Sequence, residues 1–160
     1  MTANLEQSAM YVTATIGGQL FGLPVARVHE VFVPDRMTPV PLAAAEVAGL
    51  INLRGRIITM LEMRRRLGLP EGDRRPRQMA IGVEWHGESY GLLIDEIGEV
   101  LTLPAARCET PPANLDARLA EVTAGVHRLD DGLMMVLDVD RVVDGASGTQ
   151  WCERENSARQ

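Results

Sequence analysis

Apolar and polar residues alternate along two separated stretches of the chain, Met10–Ile16 and Met79–Trp85. Alternation with a period of two is typical of a β-strand with one buried face. A short turn follows each stretch, at Gly17-Gly18 and at His86-Gly87, and a second apolar stretch follows each turn. The pattern therefore predicts two β-hairpins, whose second strands lie at Leu20–Leu23 and Ser89–Ile94.

Two further apolar runs predict buried strands, at Arg56–Leu61 and Leu133–Leu137, and each is followed by a predicted short helix, at Glu62–Leu67 and Asp138–Val143. Long stretches of helical periodicity are absent from the sequence. Many short strands joined by tight turns favour two small antiparallel barrels, because closure protects the edges of a sheet. We expect the joint between them at Leu69–Arg77.

The chain also repeats itself. Gly18–Val31 returns 69 residues later as Gly87–Val100, with five of fourteen positions identical and no gap. A shorter match follows between Ala48–Leu50 and Ala124–Val126. Two similar halves predict a pseudo-symmetric body with a seam between the halves, and a binding surface is expected at that seam.

Composition narrows the class of protein. The 160 residues carry a net charge of −6, which argues against nucleic acid or an anionic membrane as the main partner. All basic residues are arginine, so a lysine Schiff base is excluded. Cys108 and Cys152 have unrelated positions, which fits a reducing compartment. With no apolar run near ~18 residues, we expect a cytoplasmic protein without direct membrane contact.

No motif for catalysis, a metal or a cofactor is found in the sequence. The three histidines lack the spacing of metal ligands, and surface or turn positions are expected for all of them, at His29, His86 and His127. The acidic residues around Asp138 and Asp140 fit a helix start better than a calcium loop. Neither a nucleophile elbow nor a phosphate-binding loop is present.

One cluster of arginines and one single arginine need an explanation. Arg64–Arg66, together with Arg74, Arg75 and Arg77, forms the one basic cluster. We interpret it as a solvated helix end and linker, and a phosphate-binding patch or a docking surface for an acidic protein is the alternative. Arg54 lies between apolar segments, where a guanidinium is costly unless it is paired or functional.

Four blocks of the sequence resemble the CheW family of coupling proteins. The first is Phe-Gly-Leu-Pro-Val-x-x-Val-x-Glu-Val, starting at Phe21, and the second is Gly-Leu-Ile-Asn-Leu-Arg-Gly, starting at Gly49. The third is Tyr-Gly-Leu-Leu-Ile-Asp-x-Ile-x-Glu-Val-Leu, starting at Tyr90, and the fourth runs from Thr123 to Leu137. The blocks occur in the order and spacing of that family.

The resemblance implies a mostly β fold of two intertwined five-stranded SH3-like β-barrels, related by a pseudo-two-fold axis and accompanied by short helices. Residues 10–145 would form a single domain. The first barrel would lie mainly within residues 18–68 and the second mainly within 79–137, with strands exchanged at their ends. Residues 1–9 and 146–160 would be flexible tails.

The resemblance also implies a function. Members of the family are adaptors without catalytic activity or cofactor that link a CheA-type histidine kinase to the cytoplasmic tips of methyl-accepting chemoreceptors. They pack with the kinase's own CheW-like regulatory domain into arrays, in which other copies of the adaptor are further partners. By this likeness the kinase-binding residues are Val28, Glu30, Gly49, Arg54 and Gly55. The receptor-binding residues, in an apolar groove between the barrels, are Gly91, Ile97 and Val100.

Glu30 is the natural partner of Arg54. We expect a semi-buried, bidentate pair that contributes more to specificity than to stability. An apolar groove at the seam could accept an amphipathic receptor helix through a few aliphatic side chains.

The served pathway stays open, because Arg56, Thr59 and Glu62 depart from the usual run of the family. Flagellar chemotaxis is one alternative, and a chemosensory system for pili, surface growth or a second messenger is the other. A remote alternative is a small β-barrel that binds nucleic acid through Arg64–Arg77, and a hydrolase ranks last.

Overall fold

The computed structural model describes residues 7–70, 78–130 and 132–144. Within these ranges the chain forms ten strands and three short α-helices, with a 3-10 turn after β2 and another after β8. The strands are β1 Ser8–Ile16, β2 Gln19–Pro24, β3 Glu30–Phe32, β4 Val47–Leu53, β5 Arg56–Glu62, β6 Met79–Trp85, β7 Glu88–Ile94, β8 Glu96–Pro104, β9 Thr123–Leu129 and β10 Gly132–Leu137. The helices are α1 Met63–Leu67, α2 Ala117–Val122 and α3 Val139–Val143.

Both predicted hairpins are confirmed. β1 pairs antiparallel with β2, and β6 pairs in the same way with β7. The two residues of each turn have positive φ angles, 59° and 82° at Gly17 and Gly18 and 51° and 79° at His86 and Gly87. Positive φ at both central residues is the conformation that matches the twist of two-residue hairpins. The repeat in the sequence is therefore a repeat of hairpins.

The strands form two five-stranded sheets that share one plan. The first sheet has the order β8-β1-β2-β10-β9, and the second has the order β3-β6-β7-β5-β4. Each contains two hairpins, β1–β2 and β9–β10 in the first sheet and β6–β7 and β4–β5 in the second. A parallel pairing joins the two hairpins of each sheet, and an edge strand, β8 or β3, lies beside the first strand of the predicted hairpin. The mostly β, SH3-like fold and its pseudo-two-fold plan are thus confirmed, although each sheet is open, with edge strands at both sides.

The division of the chain between the sheets differs from the prediction. The first sheet takes residues 8–24 and 96–137, and the second takes the intervening strands between residues 30 and 94. A boundary near residues 69–77 is therefore wrong. The physical reason is that the chain crosses to the other sheet after each of the two predicted hairpins. The exchange of strands therefore involves much of each half and not only its ends.

The core has three parts. The largest cluster lies between the sheets and takes side chains from both, including Phe21, Leu23, Leu92 and Ile94. Each sheet also has a smaller cluster of its own. In the first sheet it is Tyr11, Met134 and Val136, and in the second it is Phe32, Ile51, Ile58, Met60, Ala80 and Leu93.

Two glycines in the hairpins make room for buried methionines. A Cβ atom on Gly22 would lie 2.7 Å from the Sδ and Cε atoms of Met134. A Cβ on Gly91, the equivalent position 69 residues later, would lie 2.6 Å from Sδ and 2.8 Å from Cε of Met60. Both methionines are fully buried. In each sheet, a glycine thus leaves the space that a buried methionine side chain fills.

One histidine prediction is wrong. His127 is buried because it lies at an inward-facing position of β9, opposite the buried Met134 of β10. Burial lowers the pKa of His127, and its Nε2 is the one buried side-chain nitrogen or oxygen in the described ranges without a hydrogen-bond partner. His86 does lie in the predicted turn, and His29 is exposed.

We predict that Gly91→Ala destabilises the fold by steric conflict with Met60. Overpacking of this kind costs about 1–3 kcal/mol of unfolding free energy. Met60→Val removes the Sδ and Cε atoms, so the double variant should lose less stability than the two single losses added together. Urea unfolding of the four proteins measures the coupling. Strictly additive losses would show that Gly91 does not serve this packing.

Candidate functional site

The predicted kinase-binding residues Val28 and Glu30 lie on a segment that passes from the first sheet to the second. The chain leaves β2, makes a 3-10 turn at Val25–Arg27 and enters β3 at Glu30. Val28 packs against the shared core, and its N–H donates to the carbonyl of Val25 at 3.1 Å. The backbone thereby fixes the position from which Glu30 projects.

Arg54 and Gly55 form the tip of the β4–β5 hairpin. Their φ angles are 53° and 84°, again the two-residue turn with both central residues left-handed. The N–H of Gly55 donates to Oδ1 of Asn52 at 2.9 Å, which closes the turn. The tetrapeptide Asn52–Gly55 therefore acts as a turn that presents the Arg54 side chain at the surface.

Glu30 and Arg54 form the predicted ion pair. Nη1 of Arg54 lies 3.0 Å from Oε1 and 3.4 Å from Oε2 of Glu30. The prediction of a semi-buried, bidentate pair is wrong, however, because the Arg54 side chain is 74% exposed and a single nitrogen contacts both oxygens. The cause is the turn, which places Arg54 beyond the ends of the strands that sequence reasoning took to enclose it.

Polar groups surround this pair. Nη2 of Arg56 donates to Oγ of Ser89 at 2.7 Å, and Nε2 of His29 lies 2.6 Å from Oε2 of Glu84. Beneath them is a cavity of about 90 Å³ whose buried lining comes from Ile58, Val83 and Tyr90. We name the polar residues around this cavity the polar face; it comprises His29, Glu30, Arg54, Arg56, Glu84 and Ser89.

Gly49 is not part of the polar face. It is buried in β4, and a Cβ atom there would lie 2.7 Å from the carbonyl oxygen of Thr38. Thr38 and Leu50 exchange backbone hydrogen bonds of 2.8 Å in both directions. Gly49 thus allows the preceding loop to lie against β4, which is a supporting role.

The three predicted receptor-binding residues do not share one surface. Gly91 is buried behind Met60, and Ile97 is half-buried against the shared core. Val100 is 52% exposed on the edge strand β8, opposite Val12. Of the three, Val100 alone presents a side chain that a partner could cover directly.

The prediction of a solvated helix end is wrong for Arg64 and Arg66, whereas Arg65 is exposed. Arg66 is buried, and it donates from Nε to the carbonyl of Val142 and from Nη2 to the carbonyl of Arg141, both at 3.0 Å. It also contacts Oε1 of Glu121 at 3.2 Å. Arg66 therefore satisfies carbonyl groups at the C-terminal end of α3, a place that favours cations. Arg74, Arg75 and Arg77 lie outside the described residues.

Arg64 is the centre of a second interior contact. Its Nη2 and Nε donate to the two carboxylate oxygens of Asp95 at 2.6 and 3.1 Å, and the side chains are only 15% and 9% exposed. Asp95 also accepts the N–H of Gly17 at 2.8 Å. The hydrogen bond to Asp95 raises the pKa of Arg64. The pair joins α1, the β1–β2 turn and the crossover from β7 to β8.

A pair with reversed charges lies close to the equivalent place in the other half: Asp140 corresponds to Arg64, and Arg27 follows Ala26, which corresponds to Asp95. Nη2 of Arg27 lies 2.8 Å from Oδ1 of Asp140, with side chains 33% and 59% exposed. The hydrogen bond that Arg27 donates lowers the pKa of Asp140. Sequence reasoning missed both pairs, although one signal was available. Arg64 and Asp140 each lie three residues after the repeated leucine, at Leu61 and Leu137.

Among the described residues, no group of three or more histidine, cysteine or carboxylate side chains could hold a metal ion. No helix in residues 7–70, 78–130 and 132–144 is long and apolar enough to cross a membrane.

The described residues form two five-stranded sheets with an exposed ion pair on the tip of the β4–β5 hairpin. Comparison with known proteins identifies the family. A model of the CheW-like domain matches residues 10–147, and the chain belongs to that family. CheW family proteins are scaffolding adaptors, not enzymes.

Relatives support the assignment along most of the chain. The chemotaxis protein CheW of Treponema pallidum is 28% identical over 146 residues, which cover 89% of this chain and 85% of that protein. The protein PilI of Pseudomonas aeruginosa is 29% identical over 71% of this chain and 64% of that protein. The crystal structure of the scaffolding protein TtCheW from Thermoanaerobacter tengcongensis matches with a TM-score of 0.77 and 26% identity. The match covers 85% of this chain and 92% of that one.

We predict that the two reversed ion pairs differ in their contribution to stability. Arg64→Met removes the guanidinium that neutralises the buried carboxylate of Asp95, which should cost about 3 kcal/mol. Arg27→Met breaks an exposed pair and one hydrogen bond to the carbonyl of Glu84, and should cost about 1–2 kcal/mol. Urea unfolding of both variants tests the difference. Equal losses would contradict the assignment of Arg64–Asp95 as the interior contact.

Proposed function

We propose that this adaptor couples methyl-accepting chemoreceptors to a CheA-type histidine kinase. The observation that carries the proposal is the Glu30–Arg54 pair, exposed on the polar face of a chain that belongs to the CheW-like family. By the resemblance in sequence, both residues lie where family members meet the kinase. The adaptor would work in the cytoplasm, where the kinase and the receptor tips are, and further copies of it would join the same arrays.

The geometry of Arg54 suits recognition better than stability. An exposed ion pair contributes at most about 1 kcal/mol to folding. Arg54 uses Nη1 for Glu30, and no hydrogen bond of the described residues engages its Nε or Nη2. A guanidinium has five donors in a planar fork that fits a carboxylate or carbonyl pair. Glu30 therefore orients a fork whose other donors can reach the kinase.

Val28, Gly49 and Gly55 would support this contact rather than make it. Val28 anchors the segment that carries Glu30, and Gly55 allows the turn that carries Arg54. Gly49 seats the neighbouring loop against β4. Among these five residues, the charged pair is the direct contact that we propose.

The receptor contact that we propose centres on Val100. Its strand β8 lies at the edge of the first sheet, and Ile97 on the same strand packs into the shared core. A helix lying along β8 could cover Val100, while Ile97 and Gly91 hold the strand and the sheet behind it in place. The receptor's apolar side chains would then meet an aliphatic surface.

A second candidate is the same adaptor role in a chemosensory pathway other than swimming. The similarity to the protein PilI favours it. Binding of nucleic acid through the basic cluster is not favoured, because Arg64 and Arg66 are engaged with Asp95 and with the carbonyls of α3.

We predict that Arg54→Ala weakens binding of the histidine kinase at least about tenfold, because interface arginines commonly contribute 1–2 kcal/mol or more. Pull-down from native lysate, followed by titration with the purified kinase, measures the loss. Arg128→Ala, which removes an equally exposed arginine paired with Glu109 and away from the polar face, is the matched control and should bind normally. Circular dichroism checks that both variants are folded. Failure of the wild type to recover any histidine kinase would overturn the proposal.

For the receptor we predict that Val100→Glu lowers recovery of chemoreceptors while kinase binding is retained, since a charge at an apolar contact must be desolvated. Leu133→Glu changes a leucine of similar exposure on β10 and is the control. Co-sedimentation with receptor-containing membranes gives the readout. An equal loss in both variants would show that Val100 has no special part in the contact.

A further inference from the structure

Two crossover segments connect the sheets, at equivalent places in the repeat. The first crossover, residues 25–30, runs from β2 to β3. The second crossover, residues 94–99, lies 69 residues later and runs from β7 into β8. Their roles in the fold are the same, but the contacts that hold them are different.

The second crossover is held from the inside. Asp95 makes the buried fork with Arg64 and accepts the N–H of Gly17, while its own N–H donates to the carbonyl of Thr15 at 3.0 Å. Beyond it, β8 pairs with β1 from Glu96 to Pro104. Interior charge pairs of this kind are little affected by salt.

Val28 of the first crossover packs against the shared core, as Ile97 of the second crossover does, so the two crossovers differ in their polar contacts. Those of the first crossover lie mainly at the surface, with one part-buried hydrogen bond from Nη2 of Arg27 to the carbonyl of Glu84 at 3.1 Å. Arg27 contacts Asp140 of α3 at 2.8 Å, with the two side chains 33% and 59% exposed. His29 contacts Glu84 of β6 at 2.6 Å, with 53% and 42% exposed. Glu30, on the same segment, contacts Arg54.

Backbone pairing adds little to this attachment. β3 is three residues long and pairs with β6 over those three positions, whereas β8 is nine residues long. Exposed charge pairs are individually weak and are screened by salt. Because Val28 and Ile97 pack against the core alike, the crossover whose polar contacts are of this kind opens at the lower free energy.

We infer that the first crossover is a releasable strap, which detaches from α3 and β6 while the two sheets stay together through the second crossover. Arg27 and Glu30 lie on the same strap, one contacting α3 and the other the β4–β5 turn. Release therefore changes the surroundings of Asp140 and the geometry of Glu30–Arg54 in one event. Its meaning for signalling rests on the proposed kinase contact, but the strap itself is a property of the free protein.

Hydrogen–deuterium exchange of the free protein tests the strap. The amides to follow are those of Val28 and His29, bonded to the carbonyls of Val25 and Gly82, against the amide of Asp95. Raising NaCl from about 0.05 M to about 1 M should speed exchange of the first crossover roughly three- to tenfold. The second crossover should change less than about twofold, because its charge pair is interior.

Arg27→Met is the test by mutation. It removes the charge and keeps much of the apolar stem, and it should accelerate exchange in the first crossover and in α3 at low salt. Arg128→Met breaks an exposed pair of similar length, 2.9 Å to Glu109 on another part of the first sheet, and is the matched control. Asp140→Arg combined with Arg27→Asp restores the contact with reversed charges and should restore part of the protection, because the hydrogen bond from Arg27 to the carbonyl of Glu84 stays lost.

Faster exchange confined to the first crossover and α3 supports the strap. Equal acceleration of both crossovers would show opening of the whole molecule and overturn it, as would a first crossover indifferent to salt and to Arg27→Met. Because neither kinase nor receptor is present, this result is independent of the pull-down with Arg54→Ala. Either proposal can therefore fail alone.

Discussion

The exchange of strands between the sheets is the constraint on which this structure depends. After each of the two repeated hairpins, β1–β2 and β6–β7, the chain crosses to the other sheet. Neither sheet can therefore assemble without segments from both halves. The largest hydrophobic cluster lies where the sheets meet, and it would be exposed if they separated. Burial of apolar area is the main favourable term in folding. The seam is therefore the centre of the domain's stability.

The two halves share this architecture but differ in their charges. Arg64–Asp95 and Arg27–Asp140 occupy closely corresponding places, one position apart in the repeat, with the signs reversed, and one is interior while the other is exposed. A perfectly repeated chain would hold both crossovers equally. The difference in burial makes one crossover a fixed connection and leaves the other attached at the surface. The first crossover, which is the one attached at the surface, also carries Glu30. The less firmly held crossover therefore adjoins the proposed kinase contact.

Local pattern predicted much of the fold. Both hairpins follow from alternation and from turns that need positive φ, and the Glu30–Arg54 pair follows from complementary charge. The allocation of strands to sheets could not be predicted in the same way, because a swapped and an unswapped pairing bury the same repeated residues. The burial of Arg66 was missed for a related reason. Its partners are backbone carbonyls of α3, 75 and 76 residues away, and a carbonyl leaves no mark in the sequence.

The exposure of Arg54 changes how its part in the site is understood. A semi-buried pair would have resisted a partner, since breaking it leaves an uncompensated charge in the interior. On the hairpin tip the guanidinium stays solvated, and a partner's carboxylate can share it with Glu30 without that penalty. The stiff two-residue turn limits where the fork can point. Adaptors must bind and release, and an oriented but solvated arginine is suited to that because recognition does not require the fold to open.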